Sequence, residues 1–274
     1  MSLIILAGSI FAGIAGALLG LGGGIIIVPF LTLGLGIDIR YAIGASIVSV
    51  IATSSGAAAA FIHDRITNIR IGMFLGMAST TGAIVGAYLG GIVRPQVLYI
   101  IFAAVLGYST LAMFKRRNVE LVSDGVAHPL AKKFNLEGSY FDQVLSQTVD
   151  YTSSNVYAGF GVMCGAGIIS GLLGIGSGIF KVMAMDMFMK LPMKVSTATS
   201  NFMIGVTAAA SAGIYFTRGD IHPAIAAPVA IGVLIGATLG TRIMIHLRNT
   251  TLRKIFIPIL FYVSLQMLWE GLHW

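Results

Sequence analysis

Gly20-Leu21-Gly22-Gly23-Gly24-Ile25-Ile26-Ile27-Val28-Pro29 lies inside one long apolar run, and Gly174-Ile175-Gly176-Ser177-Gly178-Ile179-Phe180-Lys181-Val182-Met183 lies inside another. Adding 154 to any residue number in the first stretch gives its mate in the second. Glycine pays the largest backbone entropy cost in a helix, so each cluster reads as a break in an otherwise helical run. Within a bilayer, irregular backbone survives only where protein buries it or a wet cavity faces it. Paired breaks at corresponding places in two halves of a chain point to a transporter's binding site.

Composition supplies the surroundings. The chain has 274 residues, 57% of them hydrophobic and 10% charged, with a mean hydropathy of +0.92; soluble domains carry about 25% charged residues. Long apolar runs make this an all-α integral membrane protein of the cell membrane rather than a barrel. The net charge of +7 reads as Lys and Arg held at the cytoplasmic face, not as a nucleic-acid surface. Cys164 stands alone, excludes an internal disulfide and reads as an inert buried thiol. The N-terminal run lacks a basic lead and continues through the glycine cluster, so it reads as a retained membrane segment rather than a cleaved signal.

The first run, from Leu3 to Ile37, would be about 52 Å long as one helix, whereas the hydrocarbon core is about 30 Å thick. It must break or fold back, and the glycine cluster is where it can. The expected segments are 3–20, a short 23–36, 40–61, 70–92 and 96–114, then 156–173, a short 177–190, 195–216, 223–246 and 252–270. At the fixed offset Ser46 matches Ser200, Thr53 matches Thr207, Gly82 and Gly86 match Gly236 and Gly240, and Phe102 matches Phe256, with no gap from end to end. The chain is an internal duplication: a first membrane repeat 1–114, a loop 115–155 and a second membrane repeat 156–274. The loop balances Lys115, Arg116, Arg117, Lys132 and Lys133 against Glu120, Asp124, Glu137, Asp142 and Asp150, and reads as a solvated connection.

Charge chooses the relation between the halves. If each glycine-broken run returns to the side it came from, one face receives twelve basic residues, among them Arg65, Arg70, Lys190, Lys194, Arg248, Arg253, Lys254 and the five of the loop. The other face then receives only Arg40, Arg94 and Arg218, which is three. If each run crosses once, the split is eight to seven. Loop Lys and Arg favour the cytoplasm, so the expectation is two inverted repeats of about five helical segments, each with a Gly-broken first hairpin. Both termini then lie outside and loop 115–155 is cytoplasmic. Whether the short segments span or are re-entrant is left open, since parity is the same.

Ser46, Ser49 and Thr53 fall on one helix face, as do Thr197, Ser200, Thr207 and Ser211 with Asn201 beside them. Small polar residues of this kind either pack membrane helices together or line a polar path past the breaks. Hydroxyls with amides at a helix start suit an oxyanion. Lys181 stands three residues after Gly178, where the first half has Ile27. A cation at membrane depth is a functional hypothesis by default; anion contact, pairing with Asp186 and snorkelling all fit. Met183, Met185, Met187, Met189 and Met193 raise a channel or soft-metal (copper-type) permease as the alternative, since thioethers bind soft metals, but alternation at period two spreads them round a helix. The glycine ladders at 82, 86, 90 and 232, 236, 240 read as close-packing faces. No nucleotide loop, zinc or haem constellation or catalytic nucleophile appears, which argues against an ATP-driven pump and against an enzyme.

The glycine motif followed by Val28-Pro29-Phe30-Leu31, its second copy, and Gly236-Ala237-Thr238-Leu239-Gly240-Thr241-Arg242 together resemble the sulfite exporter TauE/SafE family of membrane permeases. The resemblance covers both halves. It implies transport of small organosulfur or sulfur-oxyanion compounds such as sulfite, sulfoacetate or thiosulfate, driven by a gradient of protons or sodium. Two departures stand out: Met183 replaces the mate of Pro29, and Lys181 sits where an apolar residue is usual, which favours an anion. The expected function is a secondary transporter for a small sulfur-containing anion, working by alternating access at a mid-membrane site. Its substrate-binding residues are Gly22, Gly23, Gly24, Ser46, Ser49, Thr53, Gly176, Ser177, Gly178, Lys181, Ser200 and Asn201. The expected partners are the anion, its coupling ion and membrane lipid, with no metal or organic cofactor and no nucleic acid; an oligomer is neither required nor excluded.

Overall fold

The computed structural model describes residues 2–19, 22–63, 66–115, 129–142, 147–244 and 249–273. Gly20, Leu21, Arg65, Arg116, Arg117, Glu120, Asp124 and Arg248 lie outside these. The first half runs α1 (Ser2–Leu19), α2 (Gly24–Pro29), a π-helical turn (Phe30–Gly34), α3 (Ile39–His63), α4 (Ile69–Ile92) and α5 (Pro95–Lys115). Between the halves come α6 (Pro129–Lys133), β1 (Gly138–Asp142) and β2 (Gln147–Tyr151). The second half runs α7 (Val156–Leu173), α8 (Gly178–Met183), a second π-helical turn (Ala184–Phe188), α9 (Met193–Thr217), α10 (Pro223–Met244) and α11 (Asn249–His273). The offset of 154 carries α1, α2, the first π turn and α3 onto α7, α8, the second π turn and α9 at both ends of each element.

Local chemistry explains the boundaries. Pro95 and Pro223 open helices at the position where a missing N–H costs nothing. Asn68 caps α4, its side-chain oxygen accepting from the Ile71 amide at 3.1 Å. Gly174 closes α7 in the left-handed conformation with its amide on the Ser170 carbonyl. Among the described residues five helices are long and apolar enough to cross a membrane: those within α3, α4, α5, α7 and α10. The apolar helix Gly24–Gly34 is only about 17 Å long at about 1.5 Å per residue, too short to cross about 30 Å of hydrocarbon alone. Phe216, Tyr88, Ile92 and Leu111 are among the large apolar side chains left on the outside, where lipid replaces water as their neighbour.

The halves are interleaved. α1 packs along α10 and, in the mated contact, α7 packs along α4. The glycine ladders make this possible: a Cβ on Gly82 or Gly86 would overlap the carbonyl of Cys164 or Ile168 on α7, and one on Gly236 would overlap that of Ile10 on α1. At the centre α3 crosses α9, its own mate, and α5 lies along α11, its own mate. Both mated pairs run in opposite directions. Gly44, early in α3, meets Asp220 just past the end of α9, while Ser54, further along α3, donates to the carbonyl of Asn201 in the first part of α9. Likewise Ser264 of α11 donates to the Ala103 carbonyl at 2.9 Å, while Gly271, further on, rests against Gln96 and Tyr99 near the start of α5.

Part of the stretch expected as a solvated loop is folded, and it adds a two-stranded sheet to an otherwise helical chain. β1 and β2 pair antiparallel from Gly138 opposite Tyr151 to Asp142 opposite Gln147. Leu136, Tyr140 and Tyr151 bury against Ile71, Leu75, Met185 and Met189, and Asn68 Nδ2 donates to the Tyr151 hydroxyl at 3.0 Å. The hairpin is thus fastened to the start of α4 and to the second π turn.

Candidate functional site

The two breaks have the same backbone. Gly22 and Gly23 sit at φ 80° and 69°, and their mates Gly176 and Ser177 at φ 70° and 46°. Two successive left-handed residues turn the chain sharply between α1 and α2, and again between α7 and α8. Ser177 takes this conformation with a side chain, whose hydroxyl donates to the Ala166 carbonyl.

The fold brings the breaks together. A Cβ on Gly24 would stand 3.0 Å from the Gly174 carbonyl oxygen and 3.0 Å from Ile175 Cα. A Cβ on Gly22 or on Gly176 would meet the same two side chains, Val50 and Ile204. Those two are mates, one from each central helix, so an apolar pair stands between the breaks. Sequence reasoning missed them because apolar mates look like any other core.

Ser46, Ser49, Thr53, Lys181, Ser200 and Asn201 are all at 0% exposure, so the region is closed to solvent in this conformation. Ser46 spans the halves, donating to the Gly174 carbonyl at 2.7 Å. Ser49 and Thr53 donate back along their own helix, to the carbonyls of Ser46 and Ser49 at 2.7 and 2.8 Å. Thr53 also borders the first break, since a Cβ on Gly23 would lie 3.2 Å from its hydroxyl. Ser200 reaches the Gly178 carbonyl at 3.4 Å. Asn201 donates through Nδ2 to the Thr197 carbonyl at 3.2 Å and keeps its Oδ1 buried without a partner. The hydroxyl protons of this set therefore rest on carbonyls, and a ligand entering here would have to draw them away.

Lys181 forms a second cluster. Its ammonium donates to Thr207 Oγ1 at 2.8 Å; Thr207 Oγ1 donates to the Met203 carbonyl at 2.7 Å and lies 2.9 Å from Ser79 Oγ. α8, α9 and α4 thus meet at three polar heads. Neither snorkelling nor the pairing with Asp186 describes this geometry: Lys181 is wholly buried and its hydrogen bond goes to Thr207. Thr207 was visible in the hydroxyl stripe. Ser79 was not, because its mate is Val233 and a search for matched polar residues passes over it.

The methionines of the alternating run do not all meet: Met183 packs against a different cluster from Met185 and Met189. Met185 and Met189 are buried in the cluster under the hairpin, whereas Met187 is 45% exposed. A different feature distinguishes the halves. A cleft of about 250 Å³ lies between α2 with its π turn and α11, lined by Ile26, Pro29, Phe30, Ile259 and Val263 among others. In the second half the mate of Ile26 is Phe180, which stacks on Tyr108 of α5 with centroids 5.6 Å apart and planes at 1°. The place that is open on one side is filled by an aromatic pair on the other.

The sequence has known relatives. The family model described as "Sulfite exporter TauE/SafE" matches residues 5–267. The chain is 27% identical over 283 residues to "Probable membrane transporter protein YunE" of Bacillus subtilis, covering 99% of each chain. It is 26% identical over 287 residues to "Probable membrane transporter protein MJ0441" of Methanocaldococcus jannaschii, covering 98% of this chain and 95% of that one. No solved structure matches it.

Proposed function

We propose that this chain, which belongs to the sulfite exporter TauE/SafE family, is a secondary transporter of a small sulfur-containing anion such as sulfite, sulfoacetate or thiosulfate. Its relatives carry the description of probable membrane transporters. The observation that carries the reading is the meeting of two mated breaks inside the molecule, Gly24 against Gly174 and Ile175, with a buried lysine, Lys181, on the short helix that follows the second break. A duplicated membrane chain has little other use for irregular backbone at that place.

The mechanism is alternating access between inverted halves, with the breaks, Ser46, Ser200 and Asn201 at the shared site. The opposed directions of α3 and α9, and of α5 and α11, support the inversion: mates can lie antiparallel only if the axis relating the halves runs across the helices. In this reading Gly24–Gly34 and its mate are re-entrant half-helices. The termini are outside and the hairpin is cytoplasmic, with the coupling ion a proton or sodium.

The test is a thermal-shift screen of purified protein against sulfite, sulfate, thiosulfate, sulfoacetate and taurine, followed by flux in proteoliposomes. A ligand of the native state raises its melting temperature by mass action. Lys181→Met is expected to weaken anion flux at least about tenfold, a loss of about 1.4 kcal/mol in transition-state or binding energy. Wild-type flux through well-folded Lys181→Met would remove Lys181 from the site.

A further inference from the structure

Lys181 brings a charge inside without an opposite one beside it. Thr207 offers a dipole, not a counter-charge, and its oxygen is already engaged by Ser79 and by the Met203 carbonyl. The titratable groups on the elements packed round α8 are Tyr157 and Cys164 on α7, Asp186 on the π turn, Lys194 and Tyr215 on α9, Arg70 and Tyr88 on α4, and Tyr99, Tyr108 and Lys115 on α5. Among the described residues the only hydrogen bond or ion pair at Lys181 Nζ is the one to Thr207; Asp186 is engaged in an interaction of its own. Burying an uncompensated ion costs several kcal/mol even after relaxation, and in a membrane protein such a group is paired or acts on what passes.

Two species can resolve this. An anion beside the ammonium supplies the missing charge; without the anion, loss of one proton removes the charge, and the remaining N–H can keep the bond to Thr207. We propose that the anion crosses together with one proton, and that Lys181 is where the proton rides, with Thr207 and Ser79 holding the amine in place while the site is empty. This rests on the transport reading above and decides its coupling ion. On loading, the amine lone pair takes a proton from water on the entry side and an N–H bond forms. On release that bond breaks and the proton leaves with the anion; no other covalent bond changes. A singly charged anion then moves without net charge, and a doubly charged one carries one negative charge across. The first half has Ile27 at this place, so one proton per cycle is the whole complement of this device.

The experiment uses the full-length protein with thiosulfate and sulfoacetate, neither of which takes up a proton between about pH 6 and pH 9. For the wild type, anion affinity by thermal shift is expected to fall about tenfold per pH unit on the alkaline side, the slope for uptake of one proton on binding. In proteoliposomes carrying a trapped pH dye, the lumen is expected to acidify as the anion enters. Lys181→Arg keeps a charge that cannot be shed. It is expected to bind the anion with no pH slope and to lose net transport, which a merely structural lysine would not produce. Anion flux without proton movement, or pH-independent binding by the wild type, overturns this proposal and leaves the transport reading standing; the wild-type measurements decide the matter even if the arginine variant misfolds. Absence of binding and flux for these two anions, and for sulfite, sulfate and taurine, at every pH overturns the transport reading, and this one with it.

Discussion

Lys190 carries a side chain where its mate Gly36 has none, yet both follow a π turn in the left-handed region, at φ 55° and 66°. That conformation costs a non-glycine residue about 1–2 kcal/mol. Lys190 is exposed, so nothing is lost in packing when it is cut back. Lys190→Gly is therefore expected to stabilise the protein by about 0.5–1 kcal/mol, after the extra freedom of glycine in the unfolded chain is set against the relieved strain. In detergent this corresponds to a rise of about 1–4 °C in Tm; an unchanged or lower Tm would show that the strain is absorbed elsewhere. The same comparison of mates is what made Lys181 visible in the sequence, because Ile27 stands opposite it. It also explains what stayed hidden. Matching polar residues at a fixed offset finds Ser46 and Ser200, but it passes over Ser79, whose mate is Val233, and over Val50 and Ile204, which match but are apolar. In a duplicated chain a candidate residue is legible where both mates are polar or where a charge stands opposite an apolar mate, and it is missed where a single hydroxyl faces an apolar mate or where both mates are apolar.

At the scale of elements, helices were legible where an apolar run begins or ends at a residue with a backbone reason for it: Asn68, Pro95 and Pro223 at starts and Gly174 at an end. The π turns were not, since a shift to i→i+5 hydrogen bonding leaves no mark on composition. Pro29 precedes the first and invites blame, but Met183 stands at that place before the second turn, so proline is not the cause. The hairpin escaped notice because its strands are short and polar, and their order comes from what they dock on. Its anchor gives a pH signature. Burial pushes the Tyr151 phenol above its ordinary value of 10.0, and the Asn68 hydrogen bond pulls it partly back. The folded chain thus holds this proton more tightly than the unfolded one. The docking energy is fully present below pH 10 and declines as pH rises through the folded value. Limited proteolysis of residues 129–155 is expected to accelerate above about pH 10. Tyr151→Phe should abolish that step, and should lower docking stability at neutral pH by about 1 kcal/mol through the lost hydrogen bond. Equal rates at all pH values would place the anchor elsewhere.

For the molecule as a whole, everything proposed depends on one proposed relation, that the second half is the first turned upside down. Antiparallel mates at the core are its geometric support, and the lopsided distribution of Lys and Arg is its sequence support; the two are independent, because one concerns buried helices and the other the loops. The relation makes a demand on residues that neither argument used. Arg70 and Ala224 are mates, both exposed, in the first turns of α4 and α10. In inverted halves they face opposite sides of the membrane; in parallel halves they face the same side. Cys164 is the chain's one cysteine, so a Cys164→Ala background accepts single cysteines at 70 and 224 without competing thiols. In intact cells, a membrane-impermeant maleimide is expected to label Ala224→Cys at once and Arg70→Cys only after the membrane is opened. Labelling of both positions from one side would leave α3 and α9 with no symmetry reason to oppose each other. The two breaks would then belong to a single asymmetric channel, and alternation between two symmetry-related states would lose its basis.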